Sequence, residues 1–211
     1  MSHLSILDIR IRTERLELRL PDLQLLDDLA SLAAAGIHQP ELMPFSVPWT
    51  DQPSPQLERS AMQWHLLQLA QWQPEAWSFN AVVLCAGKVV GTQGISAKNF
   101  AVTGVFSTGS WLGRPHQGLG LGREMRAAIL HFGFAALGGK IALSAAFRDN
   151  LPSLRVSQAL GYREDGEVVV ARRGVAAEQV SLRLTREEWE RGEHPEVRVE
   201  GMDGCREFFG A

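Results

Sequence analysis

The chain has 211 residues, 45% of them hydrophobic, and a formal net charge of −3 at pH 7. A hydrophobic fraction near the globular average argues against disorder, and the lack of a basic patch or run argues against a nucleic-acid partner. Charged residues interrupt every apolar stretch before the roughly 20 residues that a membrane span needs, so we expect no membrane association. The length fits one domain better than two, and we predict a single domain over residues 1–211.

The two cysteines, Cys85 and Cys205, do not predict a structural site. A disulfide framework or a zinc site needs more partners at tighter spacing, so we expect two reduced thiols and no bound metal. The N-terminal sequence MSHLSILDIR has no apolar signal core. We therefore expect a cytoplasmic protein.

The first third of the chain has the pattern of a strand, two helices and an irregular loop. Apolar residues alternate with charged ones in segment 11–20, which indicates a half-buried strand. A helix opens at Asp22 and ends at Gly36. Residues 38–55 contain five prolines, which exclude regular structure there. A second helix fits residues 56–71.

The rest of the chain changes to period-two patterns separated by helices. Ala86 and Gly87 lie between two strands and predict a hairpin. Gly109, inside the next strand, suggests a β-bulge or a close backbone approach, and Thr185 with Glu188 forms a capping box. The predicted strands lie within residues 77–98 (a pair), 102–113, 140–147, 167–173 and 178–184, and the predicted helices lie at 118–137, at 150–160 and after 185.

This order of elements predicts an α/β (α+β) fold. A run of adjacent strands followed by alternating strands and helices implies a mixed sheet with helices on both faces. No internal repeat, low-complexity tract or linker interrupts the order, which is consistent with one domain.

The segment HQGLGLGREMRAA, residues 116–128, places three glycines directly before a helical pattern. A helix start exposes backbone N–H groups without internal partners and carries about half a positive charge. Glycines let the backbone approach a ligand closely, so the combination predicts an anion cradle, usually for phosphate. The sequence Gly122-Arg123-Glu124 excludes a P-loop, which needs Lys-Ser/Thr after its glycine, and the glycine spacing misses the dinucleotide fingerprint.

The pattern Gln/Arg-x-x-Gly-x-Gly/Ala, matched by Gln117, Gly120 and Gly122, resembles the pyrophosphate loop of the GNAT superfamily, the CoA-dependent N-acyltransferases. A second segment, DNLPSLRVSQALGY at residues 149–162, is similar to a helix of GNAT enzymes of the RimJ/RimL type. In that helix Asn-x-x-Ser and a closing Leu-Gly-Phe/Tyr recur. The resemblance implies the GNAT fold, a mixed, mostly antiparallel sheet with splayed central strands.

The resemblance covers about residues 10–190 and leaves residues 191–211 as a C-terminal extension. Shorter stretches, among them LMPFSVPWT and the tail EVRVEG, look similar to a mycobacterial GNAT succinyltransferase. The implied reaction moves an acetyl or succinyl group from acetyl-CoA or succinyl-CoA to a primary amine of a small molecule or a peptide, by direct attack in a ternary complex.

The resemblance also implies where coenzyme A binds. Backbone amides between Gly118 and Arg123 hold the pyrophosphate, and the pantetheine runs along the strand that ends at Trp111. A backbone N–H near Ser110 or Trp111 stabilises the oxyanion of the tetrahedral intermediate, and Asn150 binds a pantetheine amide. The implied CoA-binding residues are Trp111, Leu112, Arg114, Gln117, Gly118, Leu119, Gly120, Leu121, Gly122, Arg123 and Asn150.

The catalytic residues implied by the family are Ser153, as proton donor to the thiolate leaving group, and Asn150. The alternative for Ser153 is helix N-capping, a common role in a first turn. Many RimJ/RimL-type enzymes carry a glutamate at the position of Ser107, so the chain departs from the family here. This departure keeps a second function open, a non-catalytic module that binds and senses acyl-CoA.

The proline-rich loop at residues 38–55 is the predicted wall of the acceptor site. Phe45 and Trp49 line an apolar slot for the acceptor, or alternatively pin the loop to the core. The sequence does not decide whether the general base is a water chain or one of three loop residues. Those residues are His38, Glu41 and Asp51.

The C-terminal segment carries two adjacent aromatic residues, Phe208 and Phe209, in a polar context. Exposed apolar patches of this kind mark interaction surfaces. We therefore predict that this segment, or the strand at 178–184, pairs between chains in a homodimer or higher homo-oligomer.

Overall fold

A computed structural model describes residues 3–211, and within them nine strands form one sheet. The strands are β1 (Arg10–Arg12), β2 (Leu16–Arg19), β3 (Ala76–Cys85), β4 (Lys88–Lys98), β5 (Val105–Leu112), β6 (Ile141–Phe147), β7 (Arg163–Arg172), β8 (Val175–Thr185) and β9 (Arg198–Glu200). Their order across the sheet is β7-β8-β6-β5-β4-β3-β2-β1-β9. β5 and β6 pair in parallel, and the other neighbours pair antiparallel. The predicted mixed, mostly antiparallel sheet is confirmed.

Helices cover both faces of this sheet. They are α1 (Leu23–Ala34), α2 (Gln56–Ala70), α3 (Phe100–Thr103), α4 (Leu121–His131), α5 (Leu151–Ala159) and α6 (Arg186–Glu190). Successive residues of a strand point to opposite faces. Val82 and Leu84 of β3 pack with Leu25 of α1, whereas Ala81 and Val83 belong to the core cluster that includes α4. Helices α1 and α4 therefore lie on opposite sides of the sheet, as the predicted fold class requires.

Three helix starts carry the caps that local sequence predicts or permits. The Asp22 carboxylate accepts a hydrogen bond from the Leu25 amide at 2.9 Å, and Thr185 and Glu188 form the complete capping box. The Asn150 side chain accepts from the Ser153 amide at the start of α5. Each cap satisfies an N–H group that the helix leaves unpaired, which is worth about 1 kcal/mol.

The segment around β5 differs from the prediction in two ways. The strand begins at Val105, not at Val102, because α3 precedes it and Gly104 turns the chain at φ 64°. The expected bulge at Gly109 is wrong, since Gly94 pairs with Gly109 in an uninterrupted β4–β5 register. The helix predicted over residues 118–137 begins as α4 at Leu121 and ends as one π-helical turn, Phe132–Ala136.

The C-terminal extension packs on its own chain. β9 pairs with β1, and the fully buried Phe209 contacts the rings of Trp72, Trp77 and Phe132. The indole of Trp77 donates to the Phe209 carbonyl at 2.9 Å. The expectation that Phe209 needs a second chain for burial is therefore wrong. The strand at 178–184 is part of β8, which already pairs with β6 and β7, so the expectation that it pairs between chains is wrong. The oligomeric state stays a prediction, which a molar mass measured by light scattering would test.

Three observations concern the disulfide, membrane-span and metal-site predictions of the sequence analysis. Cys85 and Cys205 are free thiols. Within residues 3–211 no helix has the length and apolar character to cross a membrane, and no group of three or more His, Cys, Asp or Glu side chains in this range is arranged to hold a metal ion.

His65 on α2 makes folding stability pH-dependent. Burial lowers the pKa of His65 from its usual 6.5 to about 4, so the unfolded chain takes up this proton first as the pH falls. The free energy of unfolding should therefore decrease as the pH falls from about 6.5 towards 4. Two-dimensional NMR should give a His65 midpoint near 4, and His65→Gln should remove this part of the acid sensitivity. A midpoint near 6.5 would contradict the prediction.

Candidate active site

The glycine-rich turn before α4 is held from two sides. On one side, the Gln117 side-chain amide donates to the carbonyls of Ile37 (2.6 Å) and Leu112 (2.8 Å). On the other side, Glu124 accepts from Thr13 Oγ1 at 2.5 Å and from Arg15 Nε at 2.7 Å. Gln117 thus fastens the turn to the end of β5, and Glu124 fastens the first turn of α4 to the β1–β2 connection.

Inside this frame the backbone is left-handed at two glycines, Gly118 (φ 73°) and Gly120 (φ 80°). Residues with a side chain rarely adopt such angles. Among the residues that the structure describes, the amides from Gly118 to Arg123 have no hydrogen-bond partner, whereas the Gly120 carbonyl already accepts from Glu124. The turn therefore offers a row of free N–H donors at the positive end of a helix dipole, which is the arrangement that the predicted anion cradle requires.

The central parallel strands separate beside this turn. Backbone pairing between β5 and β6 covers Val105–Ser107 and stops there. β6 continues along β8 as far as Phe147, while β5 continues along β4 to Leu112. Each strand thus follows its outer neighbour, and a wedge opens between them from Thr108 onwards. The predicted splay is confirmed, although its cause is this divergence and not a bulge.

Polar side chains bridge the narrow end of the wedge on its α4 side. The Ser144 hydroxyl donates to the Thr108 carbonyl at 3.3 Å. Arg126 of α4, whose residue surface is 5% exposed, donates to Ser110 Oγ at 2.8 Å and to Ser144 Oγ at 3.3 Å. The sequence interpretation did not include Arg126. The available signal was its position among the buried residues 125–130 of an amphipathic helix.

Helix α5 flanks the glycine-rich turn. A Cβ atom added at Gly122 would lie 3.7 Å from Leu112 Cδ1 and 3.9 Å from Val156 Cγ2, so Gly122 faces both β5 and α5. Asn150 Oδ1 caps α5 by accepting from the Ser153 amide at 3.4 Å. The capping role considered for Ser153 therefore belongs to Asn150. Within residues 3–211, neither Ser153 Oγ nor Asn150 Nδ2 has a hydrogen-bond partner, which leaves both groups available to a ligand.

Aromatic residues connect the proline-rich loop to β5. The ring centroids of Phe45 and Trp49 lie 5.4 Å apart, and those of Trp49 and Trp111 lie 6.0 Å apart. All three rings pack against a small cluster around Ile37 and Leu57. Trp49 thus pins the loop and also reaches the strand on which the pantetheine is predicted to lie. The two interpretations of Trp49 are compatible.

The β7–β8 hairpin closes over the same loop through two arginines. Arg172 donates to the Met43 carbonyl of the loop at 3.4 Å and forms two hydrogen bonds with Asp149 at 2.8 and 2.7 Å. Arg173 forms two with Asp51 at 2.8 and 2.5 Å and donates to the Pro40 carbonyl. Hydrogen bonding to Arg173 lowers the pKa of Asp51. The lowered pKa makes Asp51 a weak base, which argues against Asp51 as the general base.

His38 is also engaged by the loop. Its Nδ1 lies 2.8 Å from the Gln39 carbonyl and therefore donates to it. Its Nε2 lies 2.7 Å from Thr50 Oγ1. Glu41 is exposed. Within residues 3–211, the loop thus holds no carboxylate or imidazole that is both free and buried beside the wedge.

A wedge between parallel strands, with free helix-start amides at its open end, is the arrangement of a transferase that lays an acyl-CoA between two strands. The family profile described as acetyltransferase (GNAT) domain matches residues 15–163. The chain belongs to this family and is an acyl-CoA-dependent N-acyltransferase. The resemblance derived from Gln117, Gly120 and Gly122 is confirmed.

Solved structures share the fold at low sequence identity. RimJ of Mycobacterium smegmatis, in complex with a CoA disulfide, has a TM-score of 0.69 and 18% identity, covering 89% of this chain and 91% of that chain. RimL, a ribosomal L7/L12 alpha-N-protein acetyltransferase in complex with coenzyme A, has a TM-score of 0.67 and 15% identity. The match covers 82% of this chain and 95% of that chain. A GNAT-family acetyltransferase of Bacillus anthracis has a TM-score of 0.64 and 16% identity. The match covers 84% of this chain and 99% of that chain. These likenesses confirm the RimJ/RimL-type fold. Similarity to a mycobacterial succinyltransferase stays a prediction.

Proposed function

We propose that the protein transfers an acyl group from acetyl-CoA or succinyl-CoA directly to a primary amine while both substrates are bound. The observation that carries this proposal is the row of free amides from Gly118 to Arg123, in a turn that Gln117 fastens to the end of β5 beside the β5–β6 wedge. A diphosphate bound there directs the attached pantetheine between the strands. Of the eleven proposed CoA-binding residues, Gln117 holds the turn in place. The side chains of Leu112 and Leu121 are buried in the core, so we expect these two residues to contribute through their backbone.

In the proposed reaction, the amine lone pair attacks the thioester carbonyl carbon, and a C–N bond forms. The carbonyl oxygen becomes an oxyanion, which a backbone N–H of Ser110 or Trp111 stabilises. The intermediate then collapses, the C–S bond breaks, and the sulfur leaves as a thiolate that takes a proton from Ser153 Oγ. Ser153 regains a proton from water, and the nitrogen loses one to water. The products are an amide and the free thiol of coenzyme A.

The acceptor that fits best is an α-amine. Ser107 replaces the carboxylate base of many relatives, and Asp51 is held ionised by Arg173. An α-amine, with a pKa of about 8, loses its proton to water more easily than a lysine, with a pKa of about 10.4. The acceptor of RimL, a protein α-amine according to its name, is consistent with this choice. Phe45 and Trp49 form the wall that the acceptor contacts.

The test is release of CoA thiol, followed with a thiol reagent, in the presence of acetyl-CoA or succinyl-CoA and matched peptides. One peptide has a free α-amine and no lysine, and the other is N-terminally blocked and contains lysine. We expect amine-dependent thiol release with the first peptide and a product mass increased by one acyl group. Tight CoA binding without release for any amine would overturn the proposal in favour of an acyl-CoA sensor.

A further inference from the structure

Arg126 is a buried cation without a counter-ion. Its residue surface is 5% exposed, and among the described residues no carboxylate lies within ion-pair distance of it. Taking a charge out of water costs several kcal/mol unless an opposite charge and hydrogen bonds compensate. Buried arginines are therefore normally paired with a carboxylate, and the lack of a protein counter-ion points to an anionic ligand.

The groups around Arg126 are neutral. Its guanidinium donates to Gln93 Oε1, Ser144 Oγ and Ser110 Oγ and also hydrogen-bonds Tyr162. Burial raises the pKa of the Tyr162 phenol, so this side chain is also uncharged. Guanidinium carries five N–H donors in a planar fork that matches a carboxylate. The four partners of Arg126 use four of these five N–H donors. All four partners are neutral acceptors, which a ligand oxygen can replace.

The location of Arg126 limits what that anion can be. Ser110 lies on β5 and Ser144 on β6, so Arg126 spans the wedge on its α4 side, beyond the last backbone pair at Ser107. In the proposed function the thioester lies between these same strands. The pyrophosphate lies at the exposed turn outside. The part of an acyl-CoA that reaches into the wedge past the thioester is the acyl group itself.

We propose that Arg126, with Ser110 and Ser144, binds a carboxylate at the far end of the acyl group and thereby selects a dicarboxylic acyl-CoA of the succinyl class over a neutral acyl-CoA. This proposal rests on the proposed function only in placing an acyl-CoA in the wedge. An acetyl group carries no charge and leaves Arg126 uncompensated. A succinyl carboxylate supplies the counter-ion and satisfies the guanidinium fork.

The test compares succinyl-CoA with butyryl-CoA, which has the same four-carbon length but no carboxylate, and with free CoA, by isothermal titration calorimetry. A charge-assisted hydrogen bond is worth about 1.5–3 kcal/mol, or roughly 10- to 100-fold in affinity. We expect the wild type to bind succinyl-CoA at least about tenfold more tightly than butyryl-CoA. Arg126→Met should reduce this ratio to within about twofold and leave free-CoA affinity within about threefold. Arg191→Met, at an exposed arginine after α6, is the matched control.

Two outcomes would overturn the proposal. One is equal affinity of the wild type for succinyl-CoA and butyryl-CoA, which needs no variant and therefore decides even if Arg126→Met does not fold. The other is equal weakening of all three ligands by Arg126→Met, which would assign Arg126 to the nucleotide part or to structure. Because these are binding measurements, they remain valid if thiol release fails and the proposed catalysis is wrong. If turnover occurs, kcat/KM for the two acyl donors should follow the same ratios.

Discussion

Gly122→Val should weaken the binding of free coenzyme A by about 100-fold. A Cβ atom at this position makes ordinary contacts, at 3.7 and 3.9 Å, with side chains of Leu112 and Val156, and Gly122 has no left-handed φ. Helix α4 should therefore still form. The additional methyl groups fill the space between β5 and α5 at the mouth of the wedge and crowd the neighbouring amides. Loss of one or two charge-assisted hydrogen bonds, at about 1.5–3 kcal/mol each, gives this magnitude.

The matched control is Ala135→Val, which introduces the same side chain at an exposed position of the π-helical turn that follows α4. Both variants should melt within a few degrees of the wild type, and Ala135→Val should bind coenzyme A normally in calorimetry. Unchanged CoA affinity in folded Gly122→Val would show that the turn does not hold the coenzyme. The assignment of the free amides would then have to be withdrawn.

The parts of the fold that depend on local sequence were predictable. The caps at Asp22 and Thr185 use side chains within three residues of the amides they satisfy. The Ala86-Gly87 turn needs left-handed angles at both residues, and the chain adopts φ of 49° and 75° there. In each case the partners are neighbours along the chain, so the pattern carries the whole interaction.

The β5–β6 wedge depends on distant pairings and was predicted from the family resemblance. Gly109 suggested a local cause, but a Cβ atom there would meet nothing within 4 Å, so the strand does not need glycine at that point for a close approach. The strands diverge because β6 pairs with β8 along its full length while β5 stays with β4. Such a competition between partners leaves no local mark in the sequence of β5.

The site residues also divide into those that local sequence predicts and those that depend on distant contacts. The glycine-rich turn was evident because free helix-start amides follow from glycine spacing alone. Arg126 was missed because arginine is almost always exposed in soluble proteins, and its neutral partners come from β4, β5 and β6. Phe209 was assigned to an interface between chains because its aromatic partners within the chain, such as Trp77 and Phe132, are distant in sequence.

Ser153→Ala should lower kcat by about 100-fold or more and leave the KM for acyl-CoA within about threefold. General acid catalysis contributes about 10²- to 10⁴-fold, and the Ser153 hydroxyl is the proposed donor to the departing thiolate. Helix α5 keeps its cap in this variant, because the Ser153 backbone amide, not its side chain, bonds to Asn150 Oδ1. The loss should therefore appear in turnover and not in melting temperature, and steady-state thiol release separates kcat from KM.

Ser157→Ala provides the control on the same helix. Ser157 Oγ is buried and has no hydrogen-bond partner, so removing it should leave turnover unchanged and stability equal or slightly higher. Ser153→Thr keeps a hydroxyl at the proposed donor position and should retain a substantial part of the wild-type kcat. If Ser153→Ala turns over as fast as Ser157→Ala, the thiolate takes its proton from water, and Ser153 serves only the local structure of α5. A loss in Ser153→Ala that Ser153→Thr restores would instead tie the hydroxyl to the chemical step, because the two variants share the cap and differ in the proton donor.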